Sequence, residues 1–137
     1  MGSFSDYAEL EVLDFLFGAS AMTGAANLFF ALSSTDPTED GSGITEPSGG
    51  DYARKSMANN KTTWEAAAAG QIQNDIAITF VAASADWLAG ADLAFWAIFD
   101  DLTAGNMIAH GAITTPKPVL NGDTAEIAAN ACTITLT

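Results

Sequence analysis

The sequence predicts a mainly β fold, a single antiparallel β-sandwich or jelly-roll-like domain that begins with a short N-terminal helix. Two observations predict it. The chain has 137 residues, the size of one domain, and 49% of them are hydrophobic, which is enough for a full core. After one helical stretch, six or seven short apolar or alternating runs follow, separated by turn residues. Residues 1–137 are therefore expected to form a single domain.

The first predicted element is a helix over residues 5–18. Ser5 is a suitable N-cap, Asp6 and Glu9 complement the dipole of the first turn, and Gly18 ends the helix. Apolar residues occur around much of the helix: Leu10, Leu13 and Phe17 share one face, whereas Val12, Phe15 and Leu16 lie off it. We expect such a helix to contact more than one surface.

The remaining predicted elements are strands. They cover residues 27–33, 52–57, 75–81, 93–99, 107–113, 124–128 and 132–137. The runs at 27–33 and 93–99 are apolar on both faces and are expected to be central or covered, whereas 75–81 alternates. Residues 100–106, with Gly105-Asn106, predict a hairpin connection. The alanine run within 64–70 is expected to be connecting coil.

Charge excludes two classes of partner. Four Lys and Arg stand against 17 Asp and Glu, giving a net charge of −13, which opposes approach to nucleic acid and to anionic membranes. The apolar stretch at 15–32 is interrupted by polar residues, and the N-terminus lacks the basic residues of a secretory signal, so no membrane span or export is expected. Only 15% of residues are charged, which suits an assembled protein whose neighbours cover part of its surface.

Catalytic and cofactor motifs do not emerge. His110 is the only histidine, without the signature of a Ser-His-Asp or Cys-His site, and Cys132 reads as a small core residue in a half-buried strand. We expect no enzyme activity, no cofactor and no metal site. The acidic groups leave two minor alternatives, a calcium site and paired-carboxylate glycoside hydrolysis. These groups are Asp36, Glu39, Asp40, Glu46 and Asp51 in one loop and Asp100 and Asp101 in the hairpin.

The most informative segment is a long polar loop over residues 33–51, followed by Tyr52-Ala53-Arg54. A loop of this length is typically functional or ordered by a neighbour, so we predict that it contacts other subunits. Arg54 either neutralises carboxylates of its own loop or forms a fork-like ion pair with a neighbouring subunit. The candidate inter-subunit or capsid contact residues are Asp36, Pro37, Glu46, Tyr52, Arg54, Lys55 and Trp64.

The three tryptophans receive different predictions. Trp96 lies in an apolar strand and is expected in the core, and Trp87, beside Leu88, is expected to cap the core. Trp64 is expected to be exposed or at an interface. A carbohydrate-binding face would require such an exposed ring.

A family resemblance rests on short motifs spread from Ser5 to Leu136. They are Phe15-Leu16-Phe17-Gly18, the strand at 28–32, Ser33-Ser34-Thr35-Asp36-Pro37-Thr38, Glu46 before a glycine pair, Tyr52-Ala53-Arg54, Asn74 before the strand at 76–80, and Trp87 before a strand ending in Phe99-Asp100-Asp101. With these motifs the chain resembles small structural proteins of tailed bacteriophages, often described as tail-fibre-like, some of which resemble head decoration (cement) proteins. In one departure, Asp51 stands where the family has glycine before Tyr-Ala-Arg, which predicts a shifted turn.

The resemblance implies a non-enzymatic virion component, commonly trimeric. We predict a capsid decoration protein that is assembled in the host cytoplasm, binds the exterior of the head as a homotrimer and stabilises contacts of the major capsid protein. A tail-fibre or tail-tip subunit is the first alternative. A carbohydrate-binding receptor module is the second.

Overall fold

The computed structural model describes residues 2–18, 21 and 24–136. Over these residues the chain forms one α-helix, nine strands and a short 3-10 turn at Trp87–Gly90. In chain order the elements are β1 (Gly2–Phe4), α1 (Asp6–Leu16), β2 (Asn27–Ser33), β3 (Lys55–Ala58), β4 (Gln71–Gln73), β5 (Ile78–Ala82), β6 (Leu93–Phe99), β7 (Met107–Lys117), β8 (Thr124–Ile127) and β9 (Thr133–Thr135). The predicted fold class, mainly β with a short N-terminal helix, is confirmed.

The strands form two sheets. Seven strands make the larger sheet in the order β3-β2-β6-β7-β1-β9-β4, and β5 pairs with β8 in the smaller one. All described pairs are antiparallel except β1 with β9, where Gly2 lies opposite Ile134. The arrangement fits a β-sandwich-like fold.

The main core lies between the two sheets. Phe30 and Ile98 of the larger sheet and Ile78 of the smaller one are each at most 1% exposed and belong to one apolar cluster. A second cluster on the other face of the larger sheet contains Ala31 and Ala97, which lie opposite each other in β2 and β6. Both faces of these central strands are therefore covered, as their continuous apolar sequences predict.

Several predicted bounds need correction. The strand predicted at 52–57 begins only at Lys55, since the preceding residues belong to the loop, and the one predicted at 75–81 is Ile78–Ala82. The strand predicted at 107–113 continues to Lys117, paired with Leu93 of β6. The last predicted strand is Thr133–Thr135, and Thr137 lies outside the described residues.

Two short strands escape sequence analysis. β1 and β4 have three residues each, and neither carries an apolar alternation that separates it from coil. They exist because of distant partners, since β1 lies between β7 and β9 and β4 pairs with β9. Residues 64–70 form coil, as predicted, and isolated bridges join Trp64 to Asn74 and Ala68 to Gln71.

The buried side-chain amide of Asn74 links the segments that precede β5 and β9. Asn74 is 0% exposed, and its Nδ2 donates hydrogen bonds of 2.9 Å to the carbonyls of Ile76 and Ala128. Its Oδ1 accepts a 2.8 Å bond from the backbone N–H of Cys132. Because all these side-chain bonds are made inside the fold, Asn74 fixes the approach of β9 to the start of β5.

Candidate functional site

The candidate site is the outer face of α1. Ser5 caps the helix: its Oγ accepts a 3.3 Å hydrogen bond from the N–H of Ala8 and donates to the carbonyl of Met107 in β7. The N–H of Ser5 donates to the carbonyl of Ile108 at 3.0 Å. The first turn is thus fixed to the sheet, while Ala8 is the only residue of α1 that is fully buried.

Large apolar side chains project from the rest of α1 and its C-cap. Their exposed fractions are 63% for Leu10, 51% for Leu13, 52% for Phe15, 64% for Leu16 and 82% for Phe17. Monomeric proteins rarely expose contiguous apolar groups of this size unless the surface binds something. α1 exposes more large apolar side chains than any other described element.

The exposed residues follow a pattern around the helix axis. With 3.6 residues per turn, Leu10, Leu13 and Phe17 fall within about 60° of one another and on the side opposite Ala8. Glu9 and Asp14 lie about 40° to either side of this stripe. α1 contains four acidic residues and no basic residue. We call Leu10, Leu13 and Phe17, with Glu9 and Asp14 at the edges, the α1 outer face.

The long loop differs from α1, because its key side chains bond within the chain. The guanidinium of Arg54 forms a bidentate pair with Glu46, with Nη2 to Oε1 at 2.6 Å and Nε to Oε2 at 3.1 Å. Its Nη1 donates to the carbonyls of Asp101 and Ala104 at 3.1 and 2.8 Å, and its Cζ lies 3.6 Å from the centroid of the Phe99 ring. Of the two alternatives for Arg54, the structure places it against its own loop and the β6–β7 hairpin.

Tyr52 joins this cluster to the central sheet. Its hydroxyl donates to Oε2 of Glu46 at 2.9 Å and accepts from the N–H of Leu32 in β2 at 3.1 Å. Burial, and then the neighbouring Glu46 carboxylate, raise the pKa of the Tyr52 phenol above its usual range. Glu46, Tyr52 and Arg54 therefore form one network that fastens the loop to the sheet.

The first half of the loop is also held by local bonds. Pro37 is almost fully buried, and Asp36 is exposed, although its Oδ1 accepts a 3.0 Å bond from the N–H of Thr38. Hydrogen bonds from the Thr38 hydroxyl and the Ser42 N–H lower the pKa of Asp40 to about 2. These bonds form a tight turn within the long loop.

The turn before Tyr52 uses left-handed backbone at three successive residues. Gly49, Gly50 and Asp51 have φ of 82°, 59° and 60°. Asp51, which stands at the family's glycine position, thus takes a conformation that glycine favours. The carbonyl of Gly50 accepts a 2.9 Å bond from the indole N–H of Trp87, which holds the turn against the core.

Two further predicted contact residues lie away from the loop. Lys55 is in β3 opposite Phe30 and is partly exposed. Trp64 is 6% exposed and stacks on Phe30 with the ring centroids 5.9 Å apart. The prediction that its ring is exposed is wrong, because residues 60–64 form a turn that folds the ring onto the core. Whether any of the seven candidate residues contacts another subunit remains a prediction.

The tryptophans offer no stacking surface for a sugar. Trp64, Trp87 and Trp96 are 6%, 1% and 2% exposed. Trp96 is a core residue, as predicted, and Trp87, which the sequence predicts to cap the core, is itself buried in it. A cleft of about 490 Å³ opens between β7 and β8, with Lys117 and Glu126 at its lining. The Trp96 ring borders this cleft but is buried, so it does not present a face to a ligand.

The only histidine and the only cysteine of the sequence, His110 and Cys132, lie outside the α1 outer face. His110 lies in β7 with Nδ1 3.7 Å from Oδ1 of Asp36 and Nε2 3.5 Å from Oε1 of Glu39. Burial raises the pKa of the Cys132 thiol to about 12, and the residue is 0% exposed, consistent with the predicted core role. Within the described ranges, no three His, Cys, Asp or Glu side chains are placed to hold a metal ion. In the same ranges, no helix is long and apolar enough to span a membrane.

The sequence predicts the helix and its spread of apolar residues, and it emphasises the loop as the contact segment. It does not predict how much of the helix remains exposed. The available signal was composition: the eleven residues of α1 carry four acids, no base and mostly apolar side chains otherwise. A helix that is apolar on several faces, in a domain whose core is supplied by strands, has more apolar surface than one sheet covers.

Comparison with known proteins identifies the family. The family model described as Podophage GP4 fiber I protein gp80 matches residues 3–135, nearly the whole chain. No curated protein matches the chain. The match agrees with the resemblance carried by the sequence motifs. The chain therefore belongs to this family of tail-fibre-like phage structural proteins, and it is a virion structural protein of the fibre type.

Proposed function

We propose that this protein is a non-enzymatic component of a phage tail fibre and that it joins the virion through α1. The observation that carries the proposal is the α1 outer face, where Leu10, Leu13 and Phe17 are 51–82% exposed on a helix fixed to its domain by its first turn. A surface of this kind requires a partner in the assembled particle. The word "fiber" in the family's description favours the tail over the head.

The rigidity of the loop supports a structural role. The Glu46–Tyr52–Arg54 network fixes the loop before any partner binds. Little conformational entropy of the loop is therefore lost during assembly. Exposed loop residues such as Asp36, with 61% of its side chain accessible, then form a preformed secondary contact surface. In this proposal the network positions the loop, and the exposed residues of the loop make the contacts.

Capsid decoration is the second candidate. The shape of the described chain favours it, because strands of three to eleven residues fold into a compact β-sandwich-like unit that suits attachment to a shell. In this version, homotrimers bind the exterior of the head and α1 contacts the major capsid protein. Both candidates use the same surface, and they differ in where the partner lies.

Copy number and position in purified virions separate the candidates. Quantitative mass spectrometry would give copies per particle relative to the major capsid protein, and cryo-EM would give their location. The fibre proposal expects tens of copies or fewer, located at the tail. Hundreds of copies on the head would overturn it in favour of decoration, and absence from purified particles would overturn both.

A further inference from the structure

We infer that the α1 outer face docks into an apolar groove with basic edges on a different virion protein, and not onto a second copy of this chain. This inference rests on the proposed role in the virion and specifies the chemistry of the partner. The three anchors are Leu10, Leu13 and Phe17. Their spacing of i, i+3 and i+7 is the pattern by which a helix is bound in a groove.

The geometry of α1 presents this stripe outward. Ala8 faces the sheet, and the stripe lies on the opposite side of the helix, so a partner can approach it without displacing β1 or β7. Phe17, at 82% exposed, is the most accessible of the anchors and is the C-cap residue of the helix. Because Ser5 fixes the first turn through hydrogen bonds to β7, the helix is already oriented for docking.

The charges decide which partner fits. Glu9 and Asp14 border the stripe on its two sides, and α1 carries four acidic residues and no basic one. Pairing this face with α1 of a second copy would bring four carboxylates, Glu9 and Asp14 of each copy, to the edges of one apolar contact. Like charges at the edge of an interface oppose association and select against a wrong partner.

The rest of a second copy is also a poor match. The whole chain has only four basic residues. Arg54 is bonded to Glu46, and Lys117 borders a cleft that also contains Asp123 and Glu126. The other two are Lys55 and Lys61, which lie close together in the chain, in β3 and in the turn after it. Because two of the four basic residues face carboxylates and the other two are confined to one region, another protein is the better source of a groove with Lys or Arg on both edges.

The test uses phage that encode variants of this chain. The variant L10A/L13A/F17A removes the anchors while alanine preserves helix propensity, and E9K/D14K reverses the edge charges while keeping the anchors. We expect copies per virion to fall at least about tenfold for the first variant and about fivefold for the second. Quantitative mass spectrometry of purified particles gives the ratio to the major capsid protein.

Matched controls change equivalent groups elsewhere. L102A/L120A removes two exposed apolar side chains, and D75K/D92K makes the same change in net charge at residues outside the strands that α1 contacts. Both controls are expected within about twofold of wild type. Circular dichroism and thermal unfolding of each purified variant establish that it is folded.

Sedimentation of the isolated chain completes the test. We expect the oligomeric state of the isolated chain to be the same for wild type and for both α1 variants. If L10A/L13A/F17A dissociates an oligomer and E9K/D14K strengthens it, the occupant is a second copy and the inference is overturned. If wild type enters virions and E9K/D14K enters equally well, the basic-edged groove is overturned while the virion role stands. Absence of wild type from virions would instead overturn the proposed function.

Discussion

The helix α1 and the long loop, which in the structure spans residues 34–54 between β2 and β3, are opposite in character. The loop is polar and long, yet the side chains of Glu46, Tyr52 and Arg54 hydrogen-bond to one another, and Tyr52 also hydrogen-bonds to the sheet. The helix is short and regular, yet it leaves Leu10, Leu13 and Phe17 in solvent. This difference supports the proposal that the protein binds its partner through exposed apolar surface and not through its longest or most polar segment. Loop residues should therefore control stability, and helix residues should control assembly.

The largest expected effect is on Arg54. Arg54→Ala removes the three hydrogen bonds to Glu46, those to the carbonyls of Asp101 and Ala104, and the contact with the Phe99 ring. It leaves a partly buried carboxylate unpaired, so the free energy of unfolding should fall by about 2–3 kcal/mol in urea titrations. Lys55→Ala, next in the sequence, is the control and should change it by less than about 0.5 kcal/mol. Equal effects of the two substitutions would refute the structural role of the Arg54 network.

A smaller effect is expected for Tyr52. Tyr52→Phe removes the hydroxyl that joins Glu46 to the N–H of Leu32 and leaves that buried backbone donor without its partner. We expect the free energy of unfolding to fall by about 1–2 kcal/mol. Hydrogen exchange should locate the change, with faster exchange at the Leu32 amide. An unchanged Leu32 amide would contradict the link between loop and sheet.

Alkaline pH provides a third comparison. The pKa of Tyr52 is raised in the folded protein, so the fold favours the neutral phenol, and stability is fully present below the unfolded pKa of about 10. As pH rises above 10, ionisation in the unfolded state lowers the free energy of unfolding, by about 1 kcal/mol at pH 11 for this residue. Cys132, with its pKa raised to about 12, adds a loss that begins near pH 9.

The Tyr52 contribution is isolated by difference. Wild type and Tyr52→Phe share Cys132 and Tyr7, so their stability curves should converge as pH rises from 10 to 11 if Tyr52 contributes as described. Urea titrations at several pH values, under reducing conditions, measure this. Parallel curves would mean that Tyr52 ionises equally well in the folded protein.

The smallest stability effect is expected for the α1 outer face. Leu10→Ala, Leu13→Ala and Phe17→Ala remove side chains that are already exposed, so each should change the free energy of unfolding by less than about 0.5 kcal/mol. Chemical denaturation of the purified single variants measures this. A loss of about 2 kcal/mol for any one of them would show that the side chain packs within the chain, and the contrast between helix and loop would fail.

Much of the sheet was predictable because its signals are local. β2 and β6 match their predicted ranges, since continuous apolar runs bounded by turn residues have few alternatives. The Ser5 cap of α1 follows from one residue type at one position. The long-range features were less accessible. β1 and β4 depend on pairing with β9, and Trp64 is buried because a turn at 60–64 folds it onto Phe30.

The candidate site was only partly predictable for the same reason. The sequence gives the spacing of Leu10, Leu13 and Phe17 but not which side of the helix meets the sheet, and this is set by Ala8, whose small side chain allows close approach. The partner of Arg54 had two physical alternatives, and the choice depends on Glu46 and the hairpin carbonyls, brought together only by the tertiary fold.

A cryo-EM map of the intact virion that resolves the side chains of α1 would show directly whether α1 is the attachment surface. We predict that Leu10, Leu13 and Phe17 are covered by another virion protein whose Lys or Arg side chains lie within ion-pair distance of Glu9 and Asp14, while Arg54 remains bonded to Glu46. A map in which the α1 outer face is open to solvent, and the loop at 34–54 makes the attachment, would contradict it.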